Sequence, residues 1–316
     1  MRKLFVLAAG ALLAIPALAQ APNCTTPGTD NAFLGIQTIR LWPGTAPEAK
    51  GATCNDIPAL TLMEPREGSA NGSAVVIFPG GAYLHLAGDL EGREVADWFT
   101  ARGFRAFILS YRLASNGYLL PVPLLDARRA IQAVRARALD YHINPNRIVV
   151  IGFSAGGHLA ALSGTQFVKG DPNAEDPIDR ASSRPDFLVL GYPWIGAISS
   201  DTSHLSYCKV ANVMDECEAL RAAFSPDLFV TKETPPTFIY HTFDDRTVPV
   251  EQPLRFYDAL VKAGVPSELH IFAHGAHGSG LGKGDPALDE WPYLLENWLR
   301  AQGLLTADPA AVGPRQ

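Results

Sequence analysis

Seven short apolar runs, separated mostly by amphipathic stretches of helical length, constrain the fold of this chain more than any other feature. They are Ala59–Met63, Ala74–Phe78, Phe104–Leu109, Arg147–Ile151, Phe187–Leu190, Thr237–His241 and Glu268–Phe272, each rich in β-branched or aromatic residues. Apolar residues recur with a helical period in Arg93–Arg102, Pro123–Leu139, Gly157–Phe167, Gln252–Ala263 and Glu290–Ala301. From residue 74 onward the runs are hydrophobic almost without interruption, as strands covered on both faces are. The alternation predicts a mostly parallel central sheet flanked by helices. No break in composition marks a linker, so residues 20–305 read as one domain. Within it, Pro193–Val230 is longer than the connections before and after it and is expected to form a small cap or lid. Residues 306–316 offer little to bury and are expected to fray.

The ends and the charge narrow the setting. Arg2 and Lys3 precede an apolar run from Leu4 to Leu18, which closes with Ala17-Leu18-Ala19. That pattern predicts a secretory signal peptide over residues 1–19, cleaved after Ala19, and hence a periplasmic or secreted protein with no membrane attachment after cleavage. The run is shorter than the ~20 residues that span a bilayer, which disfavours a retained anchor. Cys24 follows Ala21-Pro22-Asn23 rather than a lipobox. The four cysteines, Cys24, Cys54, Cys208 and Cys217, form an even set suited to an oxidising compartment. Local pairing, Cys24–Cys54 and Cys208–Cys217, is the simplest of three connectivities, and the absence of C-x-x-C disfavours a metal site. With 47% hydrophobic residues and a net charge of −6, the chain is core-building and lacks the basic patch of a nucleic-acid binder.

Residues suited to chemistry cluster at the ends of the expected strands. Gly152-Phe153-Ser154-Ala155-Gly156 follows one strand and precedes a helix, the setting of a nucleophile elbow. Glycines on either side of the serine permit a tight turn, which holds its hydroxyl at the sheet edge. Pro79-Gly80-Gly81-Ala82-Tyr83 follows another strand where an oxyanion loop is expected, with the N–H groups of Gly81, Ala82 and Ala155 as candidate donors. A serine hydroxyl is a weak nucleophile until an imidazole takes its proton, and the imidazole needs a carboxylate to fix its tautomer. Asp245, with Asp244 in reserve, and His277, in a glycine-flanked loop, meet that need in the chain order Ser, Asp, His.

Other histidines read differently. His270 falls in mid-strand, and His158 lies one helical turn beyond Ser154; both suit packing or structural hydrogen bonds. A metal site from His270, His274 and His277 lacks an H-E-x-x-H pattern or an accompanying carboxylate. Tyr83 and Glu91 are candidates to line a substrate pocket. Trp194 suits equally a sugar-stacking role or the core.

Further segments carry a resemblance. Leu41-Trp42-Pro43-Gly44, Glu91-Gly92, Tyr111-Arg112-Leu113, Leu125-Asp126-Ala127-Arg128-Arg129-Ala130, Ser154 with Gly156-Gly157-His158-Leu159-Ala160, Thr234-Pro235-Pro236-Thr237-Phe238 and His277-Gly278-Ser279-Gly280-Leu281 resemble the bacterial α/β-hydrolase esterases related to acetylxylan esterases and the BD-FAE-like group. The likeness runs from about Leu41 to Leu299. It implies an α/β-hydrolase fold with Ser154 as nucleophile, His277 as base and Asp245 as its orienting partner. It implies a secreted esterase that removes short acyl groups, acetyl above all, from carbohydrates such as xylan. No cofactor and no metal are implied. The family's usual glycines are replaced by Ala82 and Ala276, and the methyl of Ala82 is expected to trim the acyl pocket. A peptidase or an aryl or feruloyl esterase on the same triad remains open, as does a silent carbohydrate-binding protein of the same fold.

Overall fold

The computed structural model describes residues 38–199 and 205–308. The expected signal peptide, Cys24 and residues 309–316 lie outside them. Eight strands form one sheet: β1 Thr38–Arg40, β2 Ala59–Met63, β3 Ala74–Phe78, β4 Arg105–Ser110, β5 Ile148–Phe153, β6 Phe187–Gly191, β7 Thr237–Thr242 and β8 Ser267–Phe272. Their spatial order is β1-β2-β4-β3-β5-β6-β7-β8. β2 is antiparallel to both its neighbours, β1 and β4, and the other pairings are parallel, with Phe78 opposite Gly152 and Phe153 opposite Gly191. All seven expected runs are strands. β1 was not among them: its three residues, Thr-Ile-Arg, are too few and too polar to stand out.

Helices cover both faces. α2 (Val122–Ala136), α3 (Ser154–Thr165) and α6 (Glu251–Lys262) pack on one, α1 (Glu94–Thr100) and α7 (Trp291–Ala301) on the other. The period of two along β3 assigns the sides: Val76 and Phe78 join the first core, Val75 and Ile77 the second. β8 departs from the expectation of a doubly covered strand. As the sheet edge it alternates between partly buried and exposed residues, and Ile271 is exposed.

Between β6 and β7 the insertion 193–230 carries two short helices, α4 (Tyr207–Val210) and α5 (Cys217–Phe224). Cys208 and Cys217 are disulfide-bonded, as local pairing predicts. Cys54 is disulfide-bonded as well. The first tail residues are held rather than frayed. Arg147 Nη2 donates to Thr306 O at 2.8 Å, and Asp308 N–H donates to Asn71 O at 3.0 Å. A buried bidentate pair, Arg112 with Asp126, ties the end of β4 to α2, with Nη2–Oδ1 2.6 Å and Nε–Oδ2 2.9 Å. Arg112 also donates to Pro47 O at 2.6 Å. All the parallel strands therefore end along one rim whose loops are fixed from behind.

Candidate active site

At that rim β5 turns into α3 within one residue. Ser154 has φ 51°, a left-handed conformation that costs a non-glycine residue of order 1–3 kcal/mol. Its neighbours make the turn possible. A Cβ on Gly152 would lie 2.1 Å from Gly156 O, and one on Gly156 would lie 2.0 Å from Phe78 O. Neither contact is tolerable, so only glycine fits at both places. The serine side chain is thereby pushed out at the helix N-terminus.

Ser154 Oγ stands 2.8 Å from His277 Nε2, and His277 Nδ1 stands 2.7 Å from Asp245 Oδ2. An ionised carboxylate only accepts, so Nδ1 carries the proton and Nε2 is left to receive the serine proton. Asp245 Oδ1 accepts the N–H groups of Thr247 and Val248 at 2.8 and 2.9 Å. Burial pushes the Asp245 carboxyl upward, but the hydrogen bonds from His277, Val248 and Thr247 outweigh it, and its pKa lies below the ordinary value. Asp244 turns the other way. Its Oδ2 is 3.1 Å from His274 Nδ1, and its Oδ1 accepts Gly275 N–H at 3.0 Å. The adjacent aspartates thus serve different histidines, and Asp244 does not reach His277.

Pro79–Ala82 lies directly against the elbow, since a Cβ on Gly80 would stand 3.0 Å from Ser154 Cβ. Gly81 has φ 123°, where a Cβ would meet His85 O at 2.2 Å; Ala82 and Tyr83 are also left-handed, at 56° and 61°. Gly81 O accepts from Leu84 and His85, which curls the loop on itself. The N–H groups of Gly81 and Ala82 donate no hydrogen bond among the described residues. Ala155 N–H belongs to the first turn of α3, whose N–H groups have no intrahelical acceptor. All three N–H groups were candidate oxyanion donors from sequence, and that role remains a proposal.

Tyr83 and Glu91, expected to line a pocket, are buried instead, and Trp194 takes the core place of its two alternatives. Glu91 is 3% exposed: Oε2 accepts Gly80 N–H at 2.6 Å and Oε1 accepts the Tyr192 hydroxyl at 2.7 Å. Tyr83 is inaccessible and donates its hydroxyl to His158 Nδ1 at 2.8 Å, while His158 Nε2 donates to Phe224 O at 2.8 Å. Burial lowers the His158 pKa to about 4, so the ring is neutral. Trp194 is in the core, and its backbone N–H reaches Ser154 O at 3.0 Å. At each position the packing behind the loops takes the side chain inward.

Tyr192 was missed by sequence reasoning. It follows β6, so its place at a strand end on the functional rim was the available signal. Its ring lies edge-on to the His277 ring, with centroids 5.0 Å apart. A cleft of about 530 Å³ opens between the insertion and α6, lined in part by Arg221, Asp227, Gln252 and Arg255. Among the described residues no group of three or more His, Cys, Asp or Glu is arranged to hold a metal ion. Nor is any described helix long and apolar enough to cross a membrane.

Known proteins share this architecture. Residues 60–191 match the BD-FAE family, and residues 194–301 match the prolyl oligopeptidase family. An acetylxylan esterase of Xylanibacter ruminicola is 32% identical over 73% of this chain and 46% of its own length. Endo-1,4-beta-xylanase B of Butyrivibrio fibrisolvens is 31% identical over 72% of this chain and 36% of its own. The chain therefore spans less than half of either relative. Among solved structures, the acetyl ester-xyloside bifunctional hydrolase of Caldicellulosiruptor lactoaceticus is 38% identical, with TM-score 0.74 over 85% of this chain and 97% of that one. A Thermogutta terrifontis esterase bound to propionate is 28% identical, with TM-score 0.67 over 84% and 97% of the two chains.

Proposed function

The chain belongs to the α/β-hydrolase esterases of the BD-FAE type, and from that membership we propose that it is a serine esterase removing short acyl groups, acetyl above all, from carbohydrates such as xylan. The observation that carries this reading is the unbroken hydrogen-bonded line from Ser154 Oγ through His277 to Asp245, at 2.8 and 2.7 Å. Ser154 attacks the ester carbonyl while His277 Nε2 takes its proton. Asp245 keeps Nδ1 protonated and stabilises the imidazolium. The N–H groups of Gly81, Ala82 and Ala155 receive the oxyanion; each such donor is worth about 2.7–4 kcal/mol in related chemistry. His277 then protonates the departing sugar hydroxyl, and in the second half-reaction it activates water against the acyl-enzyme. Acyl transfer of this kind needs neither an electron sink nor a Lewis acid.

The insertion 193–230 is the candidate cap, and the cleft between it and α6, which no triad residue lines, is the candidate bed for a part of the carbohydrate away from the ester. Acetyl specificity has support in the names of the acetylxylan esterase and the acetyl ester-xyloside hydrolase. Export after cleavage at Ala19 belongs to the same proposal, and fractionation of expressing cells tests it: cytoplasmic retention of the uncleaved chain overturns it.

A panel of 4-nitrophenyl acetate and butyrate, a feruloyl ester, acetylated xylan and a peptide amide tests the activity. Acetates should be preferred, and Ser154→Ala should abolish both turnover and fluorophosphonate labelling. The prolyl oligopeptidase match over residues 194–301 favours peptidase activity as the second reading. Preference for the amide establishes it; no labelling of the wild type marks a silent protein.

A further inference from the structure

We propose that Glu91 is a positioning residue for this reaction: its single carboxylate clamps the oxyanion loop and the histidine loop to each other through Gly80 and Tyr192. The inference rests on the esterase reading and adds a residue outside the triad to it.

Glu91 sits in a π-helical turn, Gly88–Arg93, that follows the oxyanion loop. One oxygen accepts Gly80 N–H at 2.6 Å, which fixes the peptide leading into Gly81 and Ala82. The other accepts the Tyr192 hydroxyl at 2.7 Å. Tyr192 Oη in turn accepts Gly280 N–H at 2.8 Å, three residues beyond His277, and its ring edge flanks the imidazole. The carbonyl of the same residue, Gly280, accepts the Tyr240 hydroxyl at 2.7 Å. Leu90 closes the circuit, because a Cβ on Gly280 would meet its Cγ at 2.8 Å. Six residues, Gly80, Leu90, Glu91, Tyr192, Tyr240 and Gly280, thus join the two halves of the site behind the reacting atoms.

The chemistry of the partners requires a carboxylate. Gly80 N–H and the Tyr192 hydroxyl both donate, so both oxygens must accept. Glutamine has one acceptor and one donor at this reach. Its NH2 would either oppose Gly80 N–H or face a hydroxyl that already accepts from Gly280, leaving the hydroxyl proton without an acceptor. The carboxylate forms no ion pair among the described residues. A buried carboxylate without a cation is unfavourable for the fold, and burial does push the Glu91 pKa upward. Geometry at the site is what this costly group provides. A displacement of about 1 Å in such a site lowers turnover by roughly 100-fold.

The test uses the full chain with 4-nitrophenyl acetate, and compares Glu91→Gln, Tyr192→Phe and the double variant. Each single change should lower kcat by about 10- to 100-fold, with KM within about threefold and slowed fluorophosphonate labelling of Ser154. The double variant should lose little beyond the worse single one, because both changes cut the same link. The melting temperature of Glu91→Gln, measured alongside, should fall little or rise. A kcat within twofold of wild type for Glu91→Gln, a loss confined to KM, or losses that multiply in the double variant overturn the proposal. Should Glu91→Gln fail to fold, Tyr192→Phe decides alone: a fivefold or larger fall in kcat supports the clamp, and an unchanged kcat overturns it. Absence of ester hydrolysis in the wild type refutes the esterase reading itself, whereas an active wild type with indifferent variants refutes only the clamp.

Discussion

Two aspartate–histidine pairs stand side by side at the rim, built from neighbouring residues, and only one is enclosed. In Asp245–His277 the side chains are 0% and 16% exposed; in Asp244–His274 they are 46% and 80% exposed. The contact distances differ less, 2.7 against 3.1 Å. Surroundings separate them. Asp245 has backbone N–H donors on one oxygen and the imidazole on the other, and His277 continues to a serine. Asp244 and His274 meet at the surface, and the described hydrogen bonds lead no further inward than the Gly275 N–H. Type and spacing of residues therefore do not tell the two pairs apart; burial and a third partner do, and the proposed reading assigns catalysis to the enclosed one.

The comparison breaks most directly at the histidines. His277→Ala should lower kcat for 4-nitrophenyl acetate by roughly 10⁶-fold, since losing the base costs about as much as losing the serine. His274→Ala should stay within about threefold. Steady-state kinetics of the two purified variants decides the matter, and a large loss at His274 would reverse the assignment of base. The aspartates come next. Asp245→Asn should cost about 10⁴-fold in kcat through the wrong imidazole tautomer, with Asp244→Asn below tenfold. Equal losses at both would mean that the carboxylates act as one unit.

How legible was this in the sequence? The strands were, because two-sided burial writes unbroken apolar runs, and β2 and β3 begin and end where those runs do. The elbow was legible too, because its glycines are demanded by contacts within a few residues and one neighbouring strand. Asp245 and His277 could be singled out as types at strand ends. The fates of Tyr83, Glu91 and Trp194 could not. Whether a side chain beside a loop points to substrate or inward depends on partners about 75 and 101 residues away for Tyr83 and Glu91. Tyr192 was hidden for the same reason: its partners Glu91 and Gly280 come from opposite ends of the fold. β8 read as fully buried because its apolar residues point to both faces, Leu269 to one core and Phe272 to the other, although the edge strand is only half covered.

A third histidine sharpens the contrast between enclosed and exposed rings. His158 is fully buried, and burial lowers its pKa from 6.5 to about 4 despite the hydrogen bond to Phe224 O. The folded state therefore binds this proton less readily than the unfolded chain. The resulting stability is present above the unfolded value near 6.5 and is lost as pH falls toward 4, about 3 kcal/mol in all. Urea unfolding at pH 7 and pH 4.5 should register most of that loss in the wild type and a shallower one in His158→Gln. Parallel curves for the two proteins would falsify the assignment of this slope to His158.

The smallest effect belongs to the exposed pair and bounds the comparison from below. Asp244 and His274 lie where water screens their attraction, and salt weakens what is left. The hydrogen bond with His274 does hold the Asp244 pKa below its ordinary value, so the contact is felt even there. That charge does little beyond the pair, because the carboxylate's other described bond goes to Gly275 N–H. The double change Asp244→Asn, His274→Gln should leave the urea midpoint unmoved and kcat/KM within about threefold, in low salt and in 0.5 M sodium chloride alike. A fall confined to low salt would mean that the field of this pair reaches the charge developing at Ser154, and exposure alone would then be a poor guide to which pair serves the reaction.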